Sequence, residues 1–297
     1  MSAKLISPYL TSGYEWLRGN LHTHTTRSDG SQDPEPTARM YADAGYGFLC
    51  ISDHDTLTWP IAGPDGLVLI PGLEVAGGPH ILAVNVERPI GKDQSRQAVI
   101  DEAVAAGGIA VLNHPNWGFD FNHFPQDQLE ALRGHVGIEI YNGVVDALEG
   151  SALATDRWDQ LLSRGLHAWG FAHDDLHDER LFARGWLMAQ VTERTRDGVI
   201  EALRRGRFYA STGVDIRRIT VRADTISIEA PRAQRIRFIG AWGRLLHEAD
   251  DWEAGYRIGG REGAYVRIEC LGRGGRCAWS QPIYIVREDD DQAEGGR

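Results

Sequence analysis

The chain has 297 residues, 42% apolar and 25% charged, a composition ordinary for a folded protein with a real core. Its formal charge of −11 argues against general nucleic-acid binding, because a phosphate backbone needs a basic surface. The acidity does not exclude an anionic small substrate, since bound cations reverse the local field inside an acidic protein.

Reading from the N-terminus, there is no basic stretch followed by an apolar run, and no run approaches the ~20 apolar residues that cross a bilayer. No membrane association and a cytoplasmic location are therefore expected. Of the three cysteines, Cys50 lies in an apolar run and reads as a buried thiol, while Cys270 and Cys277 could pair if they lie on neighbouring strands. No zinc-finger spacing occurs.

Short apolar runs then follow one another: Leu17–His22, Gly47–Ser52, Leu67–Leu73, Ile81–Val86, Ile109–Asn113, Ile138–Tyr141 and Ala168–Ala172. Continuous rather than alternating apolarity marks buried parallel strands. Helical patterns fall between several of them, at Asp33–Ala44, Asp93–Ala106, Gln126–Leu132 and Leu148–Leu162; the first opens with Asp33-Pro34-Glu35-Pro36, a good helix start. Seven strands before residue 175 with intervening helices predict a parallel sheet, barrel-like or open, and suit a distorted (β/α)7 TIM-like barrel. One more helix is expected at Asp197–Arg205.

From about Val214 the period changes to two. Ile216–Val221, Thr225–Ala230, Ile236–Gly240, Tyr256–Ile258, Tyr265–Leu271 and Ile283–Val286 predict a small antiparallel β-unit with glycine-rich turns. The division expected is a barrel over 1–213, a β-rich C-terminal domain over 214–288 and an acidic tail over 289–297.

Chemistry concentrates at the strand ends. His22-Thr23-His24 places two imidazoles on one face of an extended segment, and Asp29 follows on a turn. Ser52-Asp53-His54-Asp55 follows the second strand, Glu74 the third, His80 opens the fourth, His114 closes the fifth, and His173-Asp174-Asp175-Leu176-His177 closes the seventh. In an α/β barrel such ends converge on one mouth. Nine residues (His22, His24, Asp29, His54, Glu74, His80, His114, Asp175 and His177) thus form a candidate metal-ligand set. Imidazole and carboxylate donors without thiolate suit Zn²⁺, Mn²⁺ or Fe, and so many donors suit two or three divalent ions.

This ordered set resembles the PHP (polymerase and histidinol phosphatase) family over about residues 15–213. His22-x-His24 with Ser28-Asp29-Gly30, Ser52-Asp53-His54-Asp55-Thr56, Gly72-Leu73-Glu74 with His80, Asn113-His114-Pro115 and Asp175-x-His177 look like its successive motifs. The resemblance implies a distorted barrel with a binuclear or trinuclear site and phosphoesterase activity on a small-molecule ester, through attack of metal-bridged hydroxide. Arg207–Gly213 and Ala278–Ile283 resemble, more loosely, a branch that includes carbaryl-hydrolase-like proteins. That keeps open a carboxylic ester or carbamate as the bond cut.

Catalytic roles beyond ligation are expected for Asp55, His80 and His177; Asp55 could instead orient His54. His173 reads as a supporting residue behind the ligands. Arg27, Asn116, Trp117 and Arg184 are candidate substrate contacts, the arginines for a phosphate. His123, His135, His167 and His247 read as surface or structural histidines. An oligomer is compatible with these features.

Overall fold

The computed structural model describes residues 3–287; the acidic tail expected at 289–297 lies outside the described residues. The elements in order are β1 (Ala3–Ile6), β2 (Glu15–Asn20), α1 (Pro34–Asp43), β3 (Phe48–Ile51), β4 (Val68–Val75), β5 (Ile81–Val84), α2 (Arg96–Ala105), β6 (Ile109–Leu112), α3 (Gln126–Ala131), β7 (Gly137–Asn142), α4 (Thr155–Ser163), β8 (Trp169–His173), β9 (Trp186–Val191), α5 (Arg196–Arg204) and β10 (Phe208–Ser211). The β-rich part adds β11 (Arg218–Arg222), β12 (Thr225–Glu229), β13 (Arg235–Gly240), β14 (Arg244–Ala249), β15 (Glu253–Arg257), β16 (Tyr265–Leu271), β17 (Cys277–Ser280) and β18 (Ile283–Arg287).

The seven apolar runs became β2 to β8. Strands β3, β5 and β6 are buried at every residue, the two-faced burial that continuous apolarity implies. Helix α1 starts at Pro34, and its Ala38 and Tyr41 pack on Leu49 and Ile51 of β3. Ser95 and Thr195 cap α2 and α5 by accepting from Ala98 N and Gly198 N.

Two expectations need correction. Strands β2, β3 and β4 are parallel, as are β6, β7 and β8, but β5 is antiparallel to both its neighbours. Only residues 76–80 separate β4 from β5. A parallel return takes about a dozen residues or more, so this connection can only make a hairpin. The sheet also does not close. From β2 it runs to β9, β10, β17 and β16, while β8 is its last strand.

Strand β8 and the segment after it are joined to the segments after β2 and β17 by isolated contacts. A parallel bridge links Thr23 to Leu176, and His24 N donates to Leu176 O at 2.9 Å. The buried Gln281 amide accepts from Gly170 N and donates to Gly170 O, both at 2.8 Å, satisfying the free edge of β8 as a strand would.

The helix expected over Leu148–Leu162 begins only at Thr155. Gly150 has φ of +111° and bridges Trp117; a Cβ there would lie 2.4 Å from Asn116 O, so residues 148–153 stay irregular. In the β-rich part, β11, β12 and β15 form a separate three-stranded antiparallel sheet, and Ile226, Ile228, Phe238 and Ile268 share one core cluster. Strands β1, β9, β10, β14 and β17 have no counterpart among the runs read from the sequence.

Helix α4 is tied to β16 by a buried ion pair. Arg267 Nε and Nη2 each donate to the Asp159 carboxylate at 2.7 Å, and Tyr265 OH adds a bond at 2.8 Å. The three cysteines are free and buried. No helix among the described residues is long and apolar enough to cross a membrane.

Candidate metal centre

The C-terminal ends of the parallel strands and the start of β5 meet at one mouth. Because β5 runs backwards, its first residues lie where its neighbours end, which is why His80 precedes its strand while His54 and His114 follow theirs.

Three carboxylates share six imidazoles there. Glu74 is central and buried. His22 Nε2, His80 Nδ1 and His114 Nε2 lie 3.1, 3.2 and 3.2 Å from its Oε1, and His54 Nδ1 and His24 Nε2 lie 3.0 and 3.4 Å from its Oε2. Asp175 Oδ1 is 3.2 Å from His22 Nε2, 3.1 Å from His24 Nε2 and 3.4 Å from His177 Nδ1. Asp29, half exposed at the rim, lies 3.6 Å from His24 Nδ1, 3.5 Å from His54 Nε2 and 3.3 Å from His177 Nε2. All nine residues of the candidate set are therefore brought together.

Local backbone features hold them. Gly30 lets the 24–30 turn fold onto itself, since a Cβ there would lie 2.4 Å from His24 C and O. Asp53 accepts from Thr25 N, Thr25 Oγ1 and Ser28 Oγ, all at 2.7 Å, which fixes the same turn. His114 and Asp175 carry φ of +29° and +53°, strained values for non-glycine residues that concentrate at functional sites.

The donor set fits divalent cations. His22 Nε2, His24 Nε2, His54 Nδ1, His80 Nδ1, Glu74 Oε2 and Asp175 Oδ1 are buried without a hydrogen-bond partner. Each such orphan costs about 1–3 kcal/mol unless something satisfies it, and cations held among them would do so. The groups His24–Asp29–His54–His177, His22–His24–Glu74 and His22–His114–Asp175 each bring their donor atoms within 4.8 Å of one another. Together they exceed what one four-coordinate ion uses.

Electrostatics run the same way. Burial disfavours charge on His22 and His24, yet Asp175 and Glu74 raise His22 well above the ordinary imidazole range and His24 to about 9. Burial would raise Glu74 and Asp175, but the surrounding imidazoles hold both well below the usual carboxylate range. Burial, with His114 and His80 nearby, depresses His123 to about 3.

Other expected residues divide. Trp117 lines the mouth, its ring 5.6 Å from His80 and 5.2 Å from His114. Asn116 does not face it: its amide donates to Leu153 O and Asp156 Oδ1 and accepts from Arg157 Nε, pinning the 116–118 segment to α4. Asp55 does not orient His54; its carboxylate accepts from Ala76 N at 2.9 Å and lies 3.5 Å from Lys92 Nζ. Arg184 lines a neighbouring cleft, and Arg27 is exposed and does not line the metal pocket.

The pocket over the metal centre has a volume of about 350 Å³, and its apolar lining is Trp117, Val144, Val145 and Leu148. No lysine or arginine lines it among the described residues.

Sequence reasoning missed Glu139. Its Oε1 lies 2.7 Å from both His22 Nδ1 and His173 Nδ1, and its Oε2 accepts from His114 N at 2.8 Å and Asn142 Nδ2 at 2.9 Å. His173 thus supports the cluster from behind. A carboxylate in the middle of an apolar strand, Gly137–Asn142, was the signal available. His123, read as structural, stands beside the centre and accepts from His80 N at 2.9 Å.

No family model matches the chain, and neither does any curated protein. Among solved structures, a two-domain protein from Bacteroides vulgatus ATCC 8482, containing a predicted PHP-like metal-dependent phosphoesterase, is 19% identical at a TM-score of 0.54, covering 91% of this chain and 94% of that one. An amidohydrolase from Chromobacterium violaceum shows a partial likeness, 15% identical at a TM-score of 0.35 over 54% of this chain and 87% of that one. The first likeness shows a shared fold.

Proposed function

We propose that this chain is a metal-dependent hydrolase of the PHP type that cleaves a small phosphate ester. One observation carries the reading: nine ligand residues meet at one mouth, five of their imidazoles within 3.4 Å of Glu74, and six of their buried atoms lack a hydrogen-bond partner. His22, His24, Asp29, His54, Glu74, His80, His114, Asp175 and His177 would hold two or three divalent ions. When bound, such ions supply Lewis acidity and acidify water near neutral pH.

The chain's own groups do the rest. Glu139 accepts at His22 Nδ1; a carboxylate can only accept, so that nitrogen keeps its proton and Nε2 is the one that would give its lone pair to a cation in place of a second proton. Trp117, Val144, Val145 and Leu148 form the apolar part of the pocket lining and limit water there. His54, His80 and His177 are the partly exposed imidazoles of the set and line the pocket where a substrate would enter.

A second reading has its own support. The apolar lining without a lysine or arginine suits the acyl or alkyl part of a carboxylic ester or carbamate. Metal-loaded enzyme would be offered p-nitrophenyl phosphate, bis(p-nitrophenyl) phosphate and p-nitrophenyl acetate. Turnover of a phosphate ester that disappears on chelation supports the first reading. Turnover of the acetate alone supports the second, and full activity in verified metal-free protein overturns both.

A further inference from the structure

Beside the metal pocket lies a larger cleft of about 840 Å³, where the β16–β17 hairpin faces the segments after β7 and β8. The turn after β7 separates the two: Val144, Val145 and Leu148 face the metal pocket, while Tyr141, Asp146 and Leu153 face the cleft. Three arginines, Arg180, Arg184 and Arg276, line the cleft in a chain whose net charge is −11.

The acids bordering it are already engaged. Asp146 Oδ2 accepts from Tyr141 OH at 2.6 Å, and Glu269 Oε1 accepts from Arg267 Nη1 at 2.7 Å. Arg180 pairs with Asp178 at 2.8 Å. Arg184 and Arg276 have no carboxylate partner among the described residues; Arg184 Nη2 reaches only Arg180 O, at 3.4 Å. Arg184 is thus free to form paired hydrogen bonds with phosphate or carboxylate, and Arg276, which also borders the groove beside Gly213, can add a second fork.

Arg184 stands on a fixed backbone. Buried Asp174 accepts from Ala183 N at 3.2 Å, Arg184 N at 2.6 Å and Gly185 N at 2.9 Å, and Ala183 is held at φ of +58°. Such prior ordering lowers the entropic cost of binding. Tyr141 and Trp279, stacked with centroids 6.1 Å apart, add an aromatic side to the cleft.

We propose that this cleft is a second binding site, separate from the metal centre, for a small organic anion bearing phosphate or carboxylate. The assignment does not depend on the hydrolase reading. Metal-loaded full-length protein would be titrated with phenylphosphonate by calorimetry, with phenylacetate in parallel to separate phosphate from carboxylate recognition. Wild type should show a cleft class of site for phenylphosphonate, with or without a second class at the metal centre. The R184Q/R276Q double variant should weaken the cleft class about tenfold or more, the scale of lost charge-assisted hydrogen bonds, with unchanged metal content and circular dichroism. Arg184→Lys, which keeps the charge but loses the fork, should weaken it less. His54→Asn, which strikes the metal centre, should leave the cleft class intact. The proposal fails if wild type shows only a class that His54→Asn removes, or if the double variant binds as wild type does.

Discussion

Glu139 Oε1 lies 2.7 Å from His22 Nδ1, and both side chains are fully buried. The same oxygen is 2.7 Å from His173 Nδ1, and burial of this carboxylate is outweighed by the imidazoles that hold its pKa far below the usual range. Glu139→Gln keeps the shape but removes the charge that orients His22 and sets its tautomer. Losses from such supporting positions run to about 10–100-fold in metal affinity. Chelator competition with metal analysis would read this; unchanged affinity would show that Glu139 does not govern the centre.

Removing the ions should destabilise the fold, because Glu74 Oε2, Asp175 Oδ1 and the imidazole nitrogens around them would be left buried without a hydrogen-bond partner. Ions that bind only the folded state add about 2.7 kcal/mol at a hundredfold excess over Kd. Calorimetric Tm should fall on chelation and recover when Zn²⁺ or Mn²⁺ is returned. A Tm indifferent to metal would count against the assignment of the centre.

His135 is far from that chemistry and offers a clean pH test. Burial depresses its pKa to about 4, so the folded chain binds the proton less readily than the unfolded one. Its contribution is whole above an unfolded pKa of about 6.5 and is lost as pH falls through that value toward 4. The expected loss is on the order of 2 kcal/mol. Urea midpoints of wild type and His135→Gln at pH 7 and pH 5 should converge at the lower pH; parallel pH dependence would contradict the assignment.

The Asp159–Arg267 pair joins α4 to β16 through two bonds of 2.7 Å in a buried setting. Breaking one side leaves an uncompensated charge, so Asp159→Ala should cost about 3–5 kcal/mol, while replacing both partners by apolar residues of similar volume should cost much less. Urea unfolding of the single and double variants separates these outcomes.

Much of the architecture follows from local pattern. Phe48–Ile51 or Ile109–Leu112 can satisfy continuous apolarity only with both faces covered, so their burial was legible from residue type. The period-two runs after Val214 likewise announced antiparallel strands. The ligand residues were legible because His and carboxylates at successive strand ends share a mouth in this class of sheet.

What the sequence by itself determined is therefore strands β2 to β8, most of the antiparallel strands after Val214, and the chemical kind of the site. Tertiary structure decided strand direction, closure and the support of the ligands. β5 had to turn back because the 76–80 link is too short for a parallel crossover. Whether β8 meets β2, or β9 takes that place, depends on contacts between residues far apart in the chain, as does the edge bond of Gln281 to Gly170. His22 gained Glu139 from a strand 117 positions away, and Asn116 and Asp55 were claimed by neighbours that no local spacing names. Side-chain hydrogen bonds form with whatever the fold brings within about 3 Å, and that proximity is a property of the folded chain.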